Sequence, residues 1–393
     1  MSQAVIIGAA RTPIGAFLGE LSSLPAHKLG SVAIKGAIEQ AGIQADQVGW
    51  VAMGNVLSAG QGQAPARQAS LGAGVPDTVP TVTLNKVCGS GLQAVIFAAQ
   101  QVLTGECEVA IGGGMESMSN APYLLPKART GYRMGPGEML DSMIHDGLWD
   151  PYDNVHMGNC GELCAEHYSF TREAQDEFAR TSGERAIEAS KSGAFKGEIV
   201  SIEIPQRKGD PVVVSEDEGP KKIRLDKISS LKPAFKRDGG TITAANASSI
   251  NDGASAVVVT TEEHAKKIGA PILARINAWA GAAKEPKWFT IAPVDAIKKV
   301  LDKTEKKADD VDLWEVNEAF GVVTMAAAEE FKIPSDKMNV NGGAVALGHP
   351  IGSSGARILV TLVHAMKNRD KKSGCAAICI GGGEALAMMV ERP

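Results

Sequence analysis

One pattern occurs twice along the 393-residue chain. In each half a Gly/Ser turn opens a helical run, and an apolar strand then runs into three glycines with a glutamate within two residues. The first copy covers 88–116 and ends in Gly112-Gly113-Gly114-Met115-Glu116; the second covers 352–384 and ends in Gly381-Gly382-Gly383-Glu384. Repetition of a whole supersecondary unit constrains a fold more than any local propensity does. It predicts two related α/β halves, each contributing the same kind of loop to a shared site.

Short apolar strands alternate with helical spacing around both copies. Residues 5–7, 50–53, 81–84 and 108–111 read as strands, and 26–41, 63–71 and 92–103 as helices, with stops at Gly42 and Gly105. After residue 270 the rhythm resumes, with strands at 272–279, 311–316, 375–380 and 387–390 and helices at 294–301, 319–331 and 354–366. Such alternation predicts a largely parallel sheet covered by helices. Residues 117–249 break it with Gly/Pro turns near 131–137, a polar helix at 171–190 and a charged stretch at 206–237. Thr171-Arg172-Glu173-Ala174 supplies that helix's capping signal. The segment reads as an insertion lying over a core. Gly60-Gln61-Gly62 begins like a dinucleotide fingerprint, but Pro65 stands where the third glycine belongs.

The net charge of −5 offers no general attraction to nucleic acid or an anionic membrane, and no apolar run approaches spanning length. Neither kind of partner is expected. The six cysteines, at 88, 107, 160, 164, 375 and 379, are too sparse for a disulfide scaffold and fit a reducing compartment. Cys160 and Cys164 lack a second ligand pair at finger-like spacing, so no metal site is expected. The chain enters a strand at Ala4 with no basic region or signal core before it, which predicts a cytoplasmic protein. An anionic ligand would need a local basic patch, and Lys221, Lys222, Arg224 and Lys227 provide one.

Four stretches carry chemistry. Asn85-Lys86-Val87-Cys88-Gly89-Ser90-Gly91 places a thiol before a helix, where unpaired N–H groups and the helix dipole favour thiolate. Taken alone, such a cysteine is better explained as a buried packing residue, since free cysteine is among the most buried types. Asn317-Glu318-Ala319-Phe320 sits where a strand meets a helix. His349 lies in a glycine-rich loop and Pro350 biases it toward extended backbone. Cys379 precedes Gly381-Gly382-Gly383, whose N–H groups could face an oxyanion or whose small size could serve packing.

Together these blocks resemble the thiolases, most closely those acting on acetyl-CoA. The likeness runs nearly end to end, through Asn85 to Gly91, Asn317 to Phe320, Gly343-Ala344-Val345-Ala346-Leu347-Gly348-His349-Pro350-Ile351-Gly352, and Cys379 to Gly383. The resemblance implies an α/β thiolase fold of two related halves in a five-layer αβαβα arrangement. The N-terminal half would be 1–119 with about 250–269, the inserted loop domain 120–249, and the C-terminal half 270–393. It implies reversible Claisen condensation of two acetyl-CoA to acetoacetyl-CoA and CoA, or the thiolytic reverse, through an acetyl-cysteine. Cys88 would be the nucleophile, His349 its base, and Cys379 the base at the methyl of the second acetyl-CoA. His349 and a water held by Asn317 would stabilise the enolate. Backbone N–H groups of Cys88 and Gly381 would form a second oxyanion hole. Coenzyme A would pass Leu148, Met157, Phe235, Ala244, Ser248, Ala319 and Phe320, with Lys222 among the basic residues near its phosphates. No further cofactor is implied, since CoA and acetyl-CoA are substrates, and a homodimer or homotetramer is expected.

Three stretches depart from the family pattern: Gly161-Glu162-Leu163, Phe289-Thr290-Ile291-Ala292-Pro293, and the one opened by Glu384 after the triple glycine. The first two are expected near the acyl and pantetheine pocket, so a degradative 3-ketoacyl-CoA thiolase of broader chain length is the alternative. A ketoacyl synthase of the same fold would lack a second catalytic cysteine, and a silent CoA-binding scaffold would not need the four-residue set.

Overall fold

The computed structural model describes residues 2–393. The main strands are β1 (Ala4–Arg11), β2 (Trp50–Gly54), β3 (Thr81–Leu84), β4 (Val109–Ser117), β5 (Asn251–Thr261), β6 (Ala274–Ala283), β7 (Leu313–Val316), β8 (Ser373–Ile380) and β9 (Glu384–Glu391). The main helices are α1 (Ala26–Ala41), α2 (Pro65–Gly72), α3 (Ser90–Leu103), α4 (Met157–Tyr168), α5 (Arg172–Ser192), α6 (Ala292–Thr304), α7 (Gly321–Phe331) and α8 (Ile351–Asn368). Among the described residues, the nine strands and the short strand Gly15–Ala16 form one sheet in the order β7-β8-β9-β6-β1-β5-β4-β2-β3. Its two halves meet at β1 and β6 through only two residue pairs, Val5 with Arg275 and Ile6 with Ala274.

Five layers follow from the period-2 alternation of the strands. In β8, Ala376, Ile378 and Ile380 face a central core, while Cys375, Ala377 and Cys379 face the outer layer of α6 and α7. In β1, Ala4 and Ile6 face the centre, and Val5 and Ile7 face α1. A bulge between Ile6 and Gly8 then shifts the alternation by one, so that Ala9 faces inward. The central layer is α3 and α8, packed against each other between the two halves of the sheet.

The sheet is mixed, not largely parallel as expected. Parallel pairing is confined to β2 with β3, β2 with β4, and β7 with β8. The expectation failed in two ways: β6, β8 and β9 pair antiparallel although all three were read as strands, and β5, antiparallel to β1 and β4, escaped notice. Its first residues, Asn251, Asp252 and Gly253, are poor strand formers. They are held instead by side-chain bonds, from Asn251 Nδ2 to Gly15 O and from Ser119 to the Asp252 carboxylate.

The two triple glycines also differ. Gly112, Gly113 and Gly114 form no loop; they lie inside β4. A Cβ at Gly114 would stand 2.0 Å from Gly352 O, and one at Gly112 would stand 2.4 Å from Val95 Cα. These glycines let α3 and the start of α8 press onto the strand. Gly381 to Gly383 does form a turn, with φ near +89° at Gly382 and +88° at Gly383.

The segment 117–249 is anchored by Arg11, which is fully buried at the end of β1. Its guanidinium donates to Glu198 at 2.6 Å and to both Asp217 oxygens at 2.7 and 2.9 Å. Removing one partner of such a set strands a buried charge. The polar helix appears as α5, with Thr171 Oγ1 accepting from Ala174 N. Among the described residues no helix is long and apolar enough to cross a membrane.

Candidate active site

The turn between β3 and α3 is held by its own side chains. Asn85 Oδ1 accepts from Val87 N at 2.9 Å, and Ser90 Oγ accepts from Lys86 N at 2.8 Å while donating to Val87 O at 2.7 Å. These bonds stabilise a backbone that Val87 adopts reluctantly. Its φ is +46°, which a β-branched residue rarely takes. The result is a sharp presentation of Cys88 on a cavity of about 210 Å³.

The N–H groups of Gly381 and of Cys88 itself point at the Cys88 sulfur. Yet the thiol is not biased toward thiolate as expected. Burial pushes its pKa up to about 11, the two N–H groups oppose this, and the Glu116 carboxylate adds to it. The helix begins two residues later, at Ser90, so desolvation outweighs its dipole.

His349 reaches the same cavity from the segment leading into α8. Its Nδ1 lies 2.6 Å from Ser354 Oγ, which itself donates to Pro350 O at 2.9 Å. That hydroxyl proton is already committed, so Ser354 Oγ accepts from Nδ1–H. The lone pair is therefore on Nε2, which faces Asn317 Nδ2 at 3.5 Å. Burial, with Arg357 second, lowers the His349 pKa to about 3. The imidazole is therefore neutral, with its Nε2 lone pair turned to the cavity, and burial makes it a weak base until a charge develops beside it.

Cys379 and Asn317 are fully buried and stand behind the cavity, not in its lining. Asn317 N–H donates to Ala377 O on β8, and its Oδ1 has no protein partner. Burial holds the Cys379 thiol well above its ordinary pKa, and the Cys88 sulfur raises it further. The structure thus brings together residues 88, 317, 349 and 379, drawn from both halves.

Leu148, Met157, Phe235, Ser248, Ala319 and Phe320 line the cavity, as does Gly381. Two residues assigned to coenzyme A do not. Ala244 is exposed and precedes the lining segment 247–250. Lys222 is bonded to Glu218 at 2.5 Å, and its basic neighbours are paired too, Lys221 with Glu216 and Arg224 with Asp226. The expected basic patch is largely neutralised by acidic residues nearby in sequence.

Sequence reading missed Met118, Ile144, Ile250 and Ile351 as lining residues. They lie in irregular segments or at a helix start, where no periodicity marks an apolar side chain as facing a ligand. His156 and Phe289 carried a signal, one as part of the His156-Met157-Gly158 block and the other as a departure. His156 stacks on Phe235 at 4.7 Å, and Phe320 meets both Phe235 and Phe289 edge-on at 6.0 and 6.3 Å. These rings form one wall. The other departures are structural. Glu162 accepts from the N–H groups of Thr241 and Ile242, and Glu384 pairs with Lys86, joining the Gly381 turn to the Cys88 turn. Among the described residues no three His, Cys, Asp or Glu side chains are placed to hold a metal ion.

The sequence is similar to known proteins over the whole chain. Residues 4–263 match the family described as Thiolase, N-terminal domain, and residues 270–392 match Thiolase, C-terminal domain. An acetyl-CoA acetyltransferase of Cupriavidus necator is 52% identical over 393 residues, all of both chains. Acetyl-CoA acetyltransferase 2 of Arabidopsis thaliana is 51% identical over 98% of this chain and 96% of its own. The mitochondrial acetyl-CoA acetyltransferase of Bos taurus is 50% identical over 100% of this chain and 92% of its own. With both halves matched by the two domains of one family, and relatives near half identity from end to end, the chain belongs to the thiolase family.

Proposed function

We propose that this protein is an acetyl-CoA C-acetyltransferase, condensing two acetyl-CoA to acetoacetyl-CoA and CoA and running the reverse thiolysis. The observation that carries the reading is the pairing of Cys88 with a neutral His349 on one cavity, with the Gly381 and Cys88 N–H groups aimed at the sulfur. His349 Nε2 takes the thiol proton as the sulfur attacks the thioester carbonyl. The carbon–sulfur bond to CoA breaks, and the proton returns to the leaving thiolate. The acetyl oxygen on Cys88 then has two N–H donors in reach, and losing one such donor typically costs about 3–4 kcal/mol.

Cys379 serves the second half. As a thiolate it removes a methyl proton from the second acetyl-CoA. The enolate attacks the acetyl carbonyl, the Cys88–acetyl bond breaks, and the proton goes to the freed Cys88 sulfur. Burial opposes ionisation of Cys379 most, and the Cys88 and Cys164 sulfurs add to it, so acetylation of Cys88 lifts one of the smaller contributions. His349 and Asn317 stand together where the enolate oxygen would rest, in line with a water held by Asn317.

The same reading makes residues 120–249 the CoA-binding insertion, supported by Leu148, Met157, Phe235 and Ser248 in the lining. It includes a cytoplasmic homodimer or homotetramer; six free cysteines fit a reducing compartment. The aromatic wall with Phe289 favours a short acyl group over the broader 3-ketoacyl-CoA alternative. Incubation with radiolabelled acetyl-CoA tests the reading directly. The wild-type chain should carry label on Cys88 and the Cys88→Ser variant none; equal labelling of both removes Cys88 from its role.

A further inference from the structure

Behind the cavity, outside the four-residue set, lies a carboxylate in an unusual setting. Glu116, near the end of β4, is completely buried and receives four N–H bonds. Its Oε1 accepts from Asn55 Nδ2 at 2.7 Å and Leu57 N at 3.1 Å; its Oε2 accepts from Val56 N at 3.0 Å and Gly352 N at 2.9 Å. Three of these donors follow β2 in the N-terminal half. The fourth is in the first turn of α8, three residues after His349. Leu57 N and Val56 N are fixed by the backbone, and Asn55 Nδ2 is oriented by a second bond to Met115 O. Three of the four donors are backbone N–H groups that cannot accept, so the pattern favours an ionised carboxylate, against burial, which pushes the pKa up to about 7. An anion at the N-terminal end of α8 also complements the helix dipole.

The surrounding backbones are packed too closely for side chains. A Cβ at Gly352 would fall 2.6 Å from Glu116 Oε2 and 2.8 Å from Met115 O, and one at Gly54 would fall 2.8 Å from Gly352 O. β2, β4 and the start of α8 therefore converge at one point, and Glu116 is the side chain that ties them there. The segment it ties carries His349, Ile351 and Ser354, which set the base and part of the cavity wall.

We propose that Glu116 is a positioning residue for acylation, seating the His349 segment of one half against the Cys88-bearing half at reaction distance. The inference rests on Cys88 and His349 acting as nucleophile and base. A glutamine would turn an NH₂ group toward at least one fixed backbone N–H, either at Leu57 or at Val56 and Gly352. That contact is repulsive and opens the junction. Displacements of the order of 1 Å between reacting groups cost about 100-fold in rate.

The experiment compares wild type, Glu116→Gln and Gly352→Ala, the last pressing on the same contact from the opposite side. Acetyl-enzyme formation is followed by rapid quench with radiolabelled acetyl-CoA, CoA affinity by calorimetry, and Cys88 alkylation by iodoacetamide against pH. For Glu116→Gln the acylation rate should fall about 10- to 100-fold with CoA affinity retained. The alkylation curve should move to lower pH, because a negative charge near the thiol is gone. The other titratable groups around Cys88 — His349, Cys379 and the Lys86–Glu384 pair — are unaltered by the substitution. Gly352→Ala, which keeps the charge, should slow acylation without that pH shift, and it carries the test if the glutamine variant does not fold. Acylation at the wild-type rate in either folded variant overturns the inference while leaving the site reading intact. Label elsewhere than Cys88 in the wild-type protein overturns the reading itself.

Discussion

Ser354→Ala removes the acceptor that fixes the His349 tautomer, and the structure sets the size of the effect. The lost bond is the 2.6 Å contact between Nδ1–H and Ser354 Oγ, in a fully buried location. Pro350 O loses the hydroxyl but keeps the N–H groups of Ser353 at 2.9 Å and Ser354 at 3.0 Å, so the helix start stays satisfied. The cost therefore falls on the imidazole. An unpaired buried donor costs about 1–3 kcal/mol, and the ring escapes it by moving its proton to Nε2. In that tautomer the nitrogen facing the cavity can no longer accept the Cys88 proton. If the whole cost appears in the barrier, acylation slows by about 5- to 150-fold. The assay is the pre-steady-state burst of acetyl-enzyme, with binding of CoA as the control for an intact cavity. A burst within about twofold of wild type would refute the tautomer assignment.

Other outcomes follow from the same geometry. With the Cys88 thiol at about 11 and His349 at about 3, both are neutral in between, and thiolate grows only as pH rises through the alkaline range. Alkylation of Cys88 should still be climbing above pH about 9.5, beyond the midpoint near 8.5 of an ordinary cysteine; a plateau by about pH 8 contradicts the burial argument. Cys379→Ala should acylate normally yet fail to exchange the methyl protons of acetyl-CoA with solvent, as read by deuterium incorporation; normal exchange rules it out as the base. Phe289→Ala should raise kcat/KM for a longer 3-ketoacyl-CoA relative to acetoacetyl-CoA by about tenfold. It should also destabilise the protein by about 3–5 kcal/mol in denaturant melts, since Phe289 is buried against Phe320. An unchanged substrate ratio would place chain-length control elsewhere.

Local signals in the sequence located most elements to within a few residues. α1 ends at Gly42 because that residue takes a left-handed conformation, and Thr171 caps α5 as its side chain suggested. The four chemical stretches were legible because turns, glycines and reactive side chains coincide there. What escaped was whatever depends on contact across the fold. β5 is a strand because its neighbours on both sides supply the ladder, despite Asn251, Asp252 and Gly253. The glycines at 112–114 looked like a loop because what presses on them comes from other elements of the fold, α3 on Gly112 and the start of α8, more than 200 residues away, on Gly114. The thiolate expectation for Cys88 failed for a related reason. A helix N-terminus is visible in sequence, and the desolvation that outweighs it is not.

The central helix layer has a consequence for biosynthesis. The turn leading into α3 carries Cys88, and the apolar face of α3 is covered by α8, which is made more than 200 residues later. A ribosome that has finished residue 263, the end of the matched N-terminal domain, needs roughly 5 to 21 s at usual elongation rates to reach Asn368, the end of α8. During that interval the thiol has no imidazole beside it and Leu92, Val95 and Ile96 have no partner helix. In the half-made chain the burial that raises the Cys88 pKa is incomplete, so an ordinary thiol and an uncovered apolar face are presented together.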